Sequence, residues 1–152
     1  TDEDKDYYQD CLALVKTLGL KEQLKFTGKV DITKYYAFLD LICLTSISEA
    51  QPLVILEANC AGIPVVTSDV GACQEMINGR TPEDKALGPS GLITGVANPP
   101  ETAQAVLQIA EDSDLRAGMV KAGRERVRRY YQEETLNERY KELYHQRMNQ
   151  HP

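Results

Sequence analysis

Apolar residues are distributed in two regimes along this chain. Before Pro99-Pro100 they come in short runs separated by turns containing Gly, Pro and Asp; after it they recur at helical spacing. Tyr8, Cys11, Leu12, Val15 and Leu18 keep a helical period, so a helix is predicted over 6–18. Leu18-Gly19-Leu20 supplies its stop, with Gly at the left-handed position. Leu24-Lys25-Phe26-Thr27-Gly28 reads as a short strand, and Asp31 as the cap of a short helix over 32–38. Asp40 to Leu44 is the next predicted strand. Pro52, taken as the first helical residue, opens a short apolar helix that Gly62 closes, and a strand over 64–67 follows. A short helix over 72–78, a surface loop over 79–90 and a fourth strand from Gly91 to Thr94 complete this regime. In the second regime, Ala103, Val106, Leu107 and Ala110 define one apolar helix face. Leu115, Met119 and Ala122 define another, and Leu136, Tyr140, Leu143 and Tyr144 a third.

Strands alternating with helices predict an α/β fold. It is a Rossmann-like parallel sheet, partial at about four strands, with helices on both faces and a helical C-terminal tail. Nucleotide-binding sheets of this type have about six strands, and the chain opens directly on a helix. The expectation is a single domain over 1–152 that forms the later part of a larger one.

Bulk properties narrow the function. A net charge of -6 argues against a nucleic-acid scaffold held by phosphate contacts. Nothing in the 42% hydrophobic content forms a run long enough for a membrane span, and the acidic start Thr1-Asp2-Glu3-Asp4 is no signal peptide. Cys11, Cys43, Cys60 and Cys73 lack metal-ligand spacing and read as buried thiols of a reducing cytoplasm. His145 and His151 have no Ser, Cys or acid patterned around them, so a His-based centre is not expected. Lys121, Arg124, Arg126, Arg128 and Arg129 read as a solvated helix face offset by Glu125, Glu133 and Glu134.

Candidate chemistry concentrates at Glu49 and Glu57. They bracket Ala50-Gln51-Pro52-Leu53-Val54-Ile55-Leu56, and Ala58 and then Ala61-Gly62-Ile63-Pro64-Val65-Val66 follow. A strand, polar loop, helix and strand in this order put a helix N-terminus at the carboxyl edge of a parallel sheet. Open α/β sheets bind ligands there, phosphates especially. An acid inside the apolar run Leu53 to Ala61 is costly to bury unless it has a function.

These residues resemble the retaining GT-B glycosyltransferases of family 4. The signature is a Glu, seven residues, a second Glu with Ala, and a small-residue run ending Gly-x-Pro-Val: here Glu49, Glu57, Ala58, Gly62, Pro64 and Val65. Phe26-Thr27-Gly28-Lys29-Val30, the strand from Asp40 to Ser46, and Ser68-Asp69-Val70-Gly71 with Glu75 match further segments. The wording from Thr45 to Leu53 is most similar to members serving Pel-type exopolysaccharide synthesis. The resemblance implies a cytoplasmic bacterial enzyme that takes a hexose from a UDP-sugar. No metal or other cofactor is implied, because positive groups assist diphosphate departure. Glu57 would accept from the ribose hydroxyls, and Glu49 would orient the donor sugar. The amides of Ala50, Gln51 and Leu53 would face sugar and diphosphate, and the backbone of Lys29 and Val30 would lie against the base.

Two departures from the family pattern stand out. Pro52 has no N–H to donate, and the Arg and Lys that neutralise the diphosphate in the family lie upstream of the segment matched here. The chain alone is therefore expected to be inactive, to need the rest of the glycosyltransferase chain as partner, and to self-associate through an unpaired sheet edge. The last apolar stripe is expected to pack on the chain's own sheet; crossing to the other GT-B domain is the alternative. Competing readings are a non-catalytic α/β interaction module with a vestigial Glu pair, and a UDP-sugar epimerase-like GT-B domain.

Overall fold

The computed structural model describes residues 2–150, and the side chains of 5–148. Two compact units divide the chain at Thr33/Lys34.

The N-terminal unit holds α1 (Asp2–Thr17). It ends at the predicted stop: Gly19 N–H bonds Lys16 O and Leu20 N–H bonds Val15 O, at 3.2 and 2.9 Å. Leu24 to Gly28 was expected to be a strand, but it joins no ladder. Apolar alternation creates a strand only where a neighbour shares its backbone hydrogen bonds, and none of the three described strands pairs with it. Asp31 caps as predicted. Its Oδ1 accepts from the Thr33 amide at 3.2 Å and the Thr33 hydroxyl at 2.6 Å. The turns it introduces are 3₁₀ rather than α, over Ile32–Lys34 and Tyr36–Phe38.

The second unit is an α/β layer structure. Its elements are β1 (Ile42–Leu44), α2 (Leu53–Ala61), β2 (Val65–Ser68), α3 (Cys73–Asn78), α4 (Pro82–Lys85) and β3 (Gly91–Thr94). The long helices α5 (Pro99–Glu111), α6 (Ser113–Tyr130) and α7 (Glu133–Gln150) follow. The sheet is wholly parallel in the order β1-β2-β3, with Ile42 opposite Val65 and Val65 opposite Gly91. Central β2 is buried along its whole length. Its alternation serves both faces: Val65 joins Ile55, Ala58, Met76 and Ile77 of α2 and α3, while Val66 joins Ala105, Ile109 and Met119 of α5 and α6. Burying a side chain such as Ile55 completely is worth about 1.5–3 kcal/mol. Gly62 closes α2 at φ +78, and the Arg124 guanidinium occupies the space a side chain would need there.

Several predicted details change. The loop over 79–90 contains α4, whose N-terminus Thr81 caps by accepting from the Asp84 amide. It is also anchored in the interior. Arg126, expected on a solvated face, is fully buried. It pairs with Asp84 Oδ1 at 2.7 Å and donates to the carbonyls of Ile77, Asp84 and Gly88. A buried guanidinium is tolerable because these acceptors satisfy it. Arg128 and Arg129 remain exposed and pair with Glu125, as the charge pattern suggests. These pairs hold the Glu125 carboxyl down at about 2.

The buried face of α5 is Ala105 and Ile109 with Val106 half-buried, whereas Ala103, Leu107 and Ala110 face solvent. The stripe on α7 does not pack on the sheet: Leu136, Tyr140, Leu143 and Tyr144 are 42–67% exposed. Their spacing makes a helix face that is only partly covered: Leu136 and Tyr140 line an open cleft with Leu53 and Leu56 of α2 and Met76 of α3. Cys73 alone of the four thiols is buried; Cys43 and Cys60 are exposed and Cys11 is half-buried. Small size permits burial of a thiol but does not require it. His151 lies outside the described residues.

Candidate functional site

The carboxyl edge of the sheet releases three loops, from β1 to α2, from β2 to α3 and from β3 to α5, and the first two carry the site. These two are stitched together. The Ala72 amide donates to Ala50 O at 2.9 Å, and the Ser68 hydroxyl donates to Ser46 O. Gly71 makes this approach possible. At φ +51 it turns left-handed, and a Cβ there would lie 2.1 Å from Glu49 O. The Ser46 hydroxyl donates to Glu49 Oε1 at 2.7 Å, so the half-buried Glu49 carboxylate is oriented by its own loop.

The start of α2 is open. Pro52, expected as the first helical residue, is instead the N-cap, one position before the observed helix start at Leu53, and it is buried. Proline brings no side-chain acceptor, so no cap satisfies the amides of Leu53 and Val54. The amides of Ala50 and Gln51 likewise donate to nothing among the described residues. Ala50, Gln51 and Leu53 are all exposed. The result is a cluster of unpaired N–H groups at the positive end of a helix dipole, an arrangement that favours an anion.

Glu57 lies one turn along α2 on the same face as Leu53, by their spacing of four. It is exposed, so the expected burial cost in the apolar run does not arise. The Tyr36 hydroxyl donates to Glu57 Oε2 at 2.7 Å. Among the described residues Oε1 has no partner. Partial burial and this carboxylate together push the Tyr36 phenol up to about 12.

Glu49, Ala50, Gln51, Leu53 and Glu57 thus gather at one loop and one helix start. Lys29 and Val30 belong to the N-terminal unit and are exposed there. Sequence reasoning missed Tyr36, Ser46 and Ser68 as supports. No periodicity marks them, because each acts through one polar atom. Gly71 was legible as a turn residue but not as the contact that seats the Glu49 loop. Among the described residues, no group of three or more His, Cys, Asp or Glu is placed to hold a metal ion. No described helix is long and apolar enough to cross a membrane.

A parallel α/β sheet with an acidic, amide-rich site at its carboxyl edge defines a Rossmann-like ligand-binding fold. The chain belongs to the glycosyl transferases group 1 family, whose model matches residues 4–126. It is 30% identical over 135 residues to the N-acetyl-alpha-D-glucosaminyl L-malate synthase of Bacillus anthracis, covering 88% of this chain and 33% of that enzyme. Anabaena Alr3699/HepE, solved in complex with UDP, superposes with a TM-score of 0.83 at 25% identity, over 96% of this chain and 38% of the other. The same protein with UDP-glucose gives 0.80 at 26% identity, over 93% and 37%. These likenesses establish the GT-B, Rossmann-like class for this sheet. The chain spans about a third of the length of the relatives it matches.

Proposed function

We propose that this chain is the donor-binding part of a retaining glycosyltransferase that takes a hexose from a UDP-sugar. The observation that carries the proposal is the placement of Glu57 on the same α2 face as the open amides of Ala50, Gln51 and Leu53. A diphosphate set against those amides and the helix dipole leaves the nucleoside within reach of α2. There a carboxylate with one uncommitted oxygen suits the vicinal ribose hydroxyls. Glu49, held by Ser46, orients the donor sugar. The UDP and UDP-glucose complexes of Alr3699/HepE support this choice of nucleotide. Lys29 and Val30 are assigned to the base by family resemblance.

The setting we infer is the cytoplasm of a bacterium, in exopolysaccharide synthesis of the Pel type, with no metal in the reaction. The chain alone is expected not to turn over donor, because the acceptor half and the diphosphate-neutralising Arg and Lys belong to the rest of the enzyme. The unpaired edge strands β1 and β3 favour self-association of the isolated chain.

The test is an NMR titration of the chain with UDP and then UDP-glucose, with Glu57→Ala as control. Amide shifts at 49–57 that disappear in the variant support the reading. Equal shifts in both proteins sink it, and the non-catalytic module then becomes the better account.

A further inference from the structure

The opposite end of α2 faces a second cleft, of about 690 Å³. It lies at the amino edge of the sheet, where Asp40 precedes β1 and where Gly62 and Pro64 lead into β2. The far wall is one face of α6: Arg116, Val120 and Arg124 lie four apart, as do Ala117 and Lys121.

Charge is distributed unevenly across this cleft. Arg124 is already engaged, donating to Ala61 O at 3.2 Å at the last turn of α2. Arg116 and Lys121 make no side-chain hydrogen bond or ion pair among the described residues, and neither does the Ser113 hydroxyl at the start of α6. Of the two carboxylates lining the cleft, Glu125 is committed to Arg128 and Arg129. Among the described residues Asp40 is left as the one lining carboxylate without an ion pair, against three cations. In a chain of net charge -6, this is a local reversal of sign inside a concave surface, which focuses the field on an incoming anion.

We propose that this cleft binds a phosphate-bearing ligand through Arg116, Lys121 and Arg124, as a second anion site distinct from the Glu49–Glu57 site. Guanidinium and ammonium groups on adjacent helical turns offer forked and point donors to one phosphoryl group. The Ser113 hydroxyl adds a neutral donor. The uncommitted Asp40 selects against ligands that lack enough negative charge to outweigh it. Arg124 ties this cleft to α2 itself. A phosphate drawing the guanidinium off Ala61 O would loosen the last turn of the helix whose first turn carries the open amides.

The ligand is either a soluble phosphoester or a lipid headgroup, and the two arms of the test separate them. In one, the chain is titrated with inorganic pyrophosphate and followed by amide shifts at 113–124. In the other, it is floated with vesicles of phosphatidic acid in phosphatidylcholine, against phosphatidylcholine alone. Arg116→Gln/Lys121→Gln is the variant for both, and its unchanged amide spectrum elsewhere shows that it folds. Binding in either arm that weakens about tenfold or more in the variant, and falls with added salt, supports the site and names its source. No binding in either arm overturns it, as does binding that the variant leaves unchanged. UDP shifts at 49–57 are read in the same samples, so failure of the basic cleft and failure of the donor site are distinguishable.

Discussion

The Tyr36 hydroxyl donates a 2.7 Å hydrogen bond to Glu57 Oε2, tying the 3₁₀ turn before β1 to the exposed face of α2. One oxygen of the carboxylate is thereby oriented while the other stays available. Tyr36→Phe removes the tether without changing the ring. It is expected to weaken UDP binding by about 2- to 10-fold, the worth of one ordinary hydrogen bond, and to leave stability nearly unchanged. Calorimetric titration of the two proteins with UDP checks this.

The same pair has a titration signature. The Tyr36 phenol is raised to about 12, by partial burial first and by the bond to Glu57 second. A raised folded value means that its stabilising contribution is complete below the ordinary tyrosine pKa of about 10. That contribution is lost as pH climbs through about 12. Ultraviolet titration should show Tyr36 among the late phenols, beside Tyr7 and Tyr131, which are also raised. In Glu57→Gln the Tyr36 phenol should move back toward the ordinary value, and no movement would refute the coupling.

Gly71→Ala should disable the site by geometry alone. The new Cβ meets Glu49 O and the backbone is left-handed, so the Glu49 loop must shift. Strain of this kind costs about 1–3 kcal/mol. Urea unfolding should register that loss, and UDP binding should fall further than Tyr36→Phe makes it fall.

Arg126→Met tests the interior anchor. It strands the Asp84 carboxylate, which is buried with Arg126 as its ionic partner. Breaking one side of such a pair costs about 3–5 kcal/mol, whereas Arg126→Met with Asp84→Leu together should recover much of it. Urea midpoints of Arg126→Met, Asp84→Leu and the double variant decide; a double loss equal to the sum of the two single losses would mean that the pair is not coupled.

Pro52→Ser gives α2 a side-chain cap. The serine oxygen would accept from the amides that the proline leaves open, adding about 1 kcal/mol to the helix and offsetting lost packing of the buried ring. Stability should stay near its starting value while UDP binding weakens, because cap and phosphate compete for the same donors. Tighter binding in isothermal titration would show that those amides do not meet the ligand.

The parts of this structure written in apolar spacing were legible in the sequence. β1, β2, β3, α2 and α3 fall within a few residues of expectation, because the central strand and its covering helices need those side chains inside. Two kinds of feature were not legible. The strand at Leu24 to Gly28 and the covered face of α7 were inferred from patterns that only partners can fulfil. Arg126, Asp84 and Tyr36 were missed because a single long-range polar contact leaves no period in a sequence. Glu49 and Glu57 were legible as a motif. The amides of Ala50, Gln51 and Leu53 were expected there by resemblance, and the structure adds that Pro52, an N-cap without an acceptor, supplies no side-chain cap to the helix start.

The all-parallel register has a kinetic consequence. Ile42 meets Val65 and Val65 meets Gly91, each across roughly two dozen residues with a helix between. No adjacent strands can zip from a tight turn, so every pairing must wait for a crossover helix to form and dock. The Gln51-to-Ala61 segment that presents the open amides is also the first of those crossovers. Substitutions that weaken α2 should therefore slow sheet assembly and lengthen the exposure of bare strand edges during refolding.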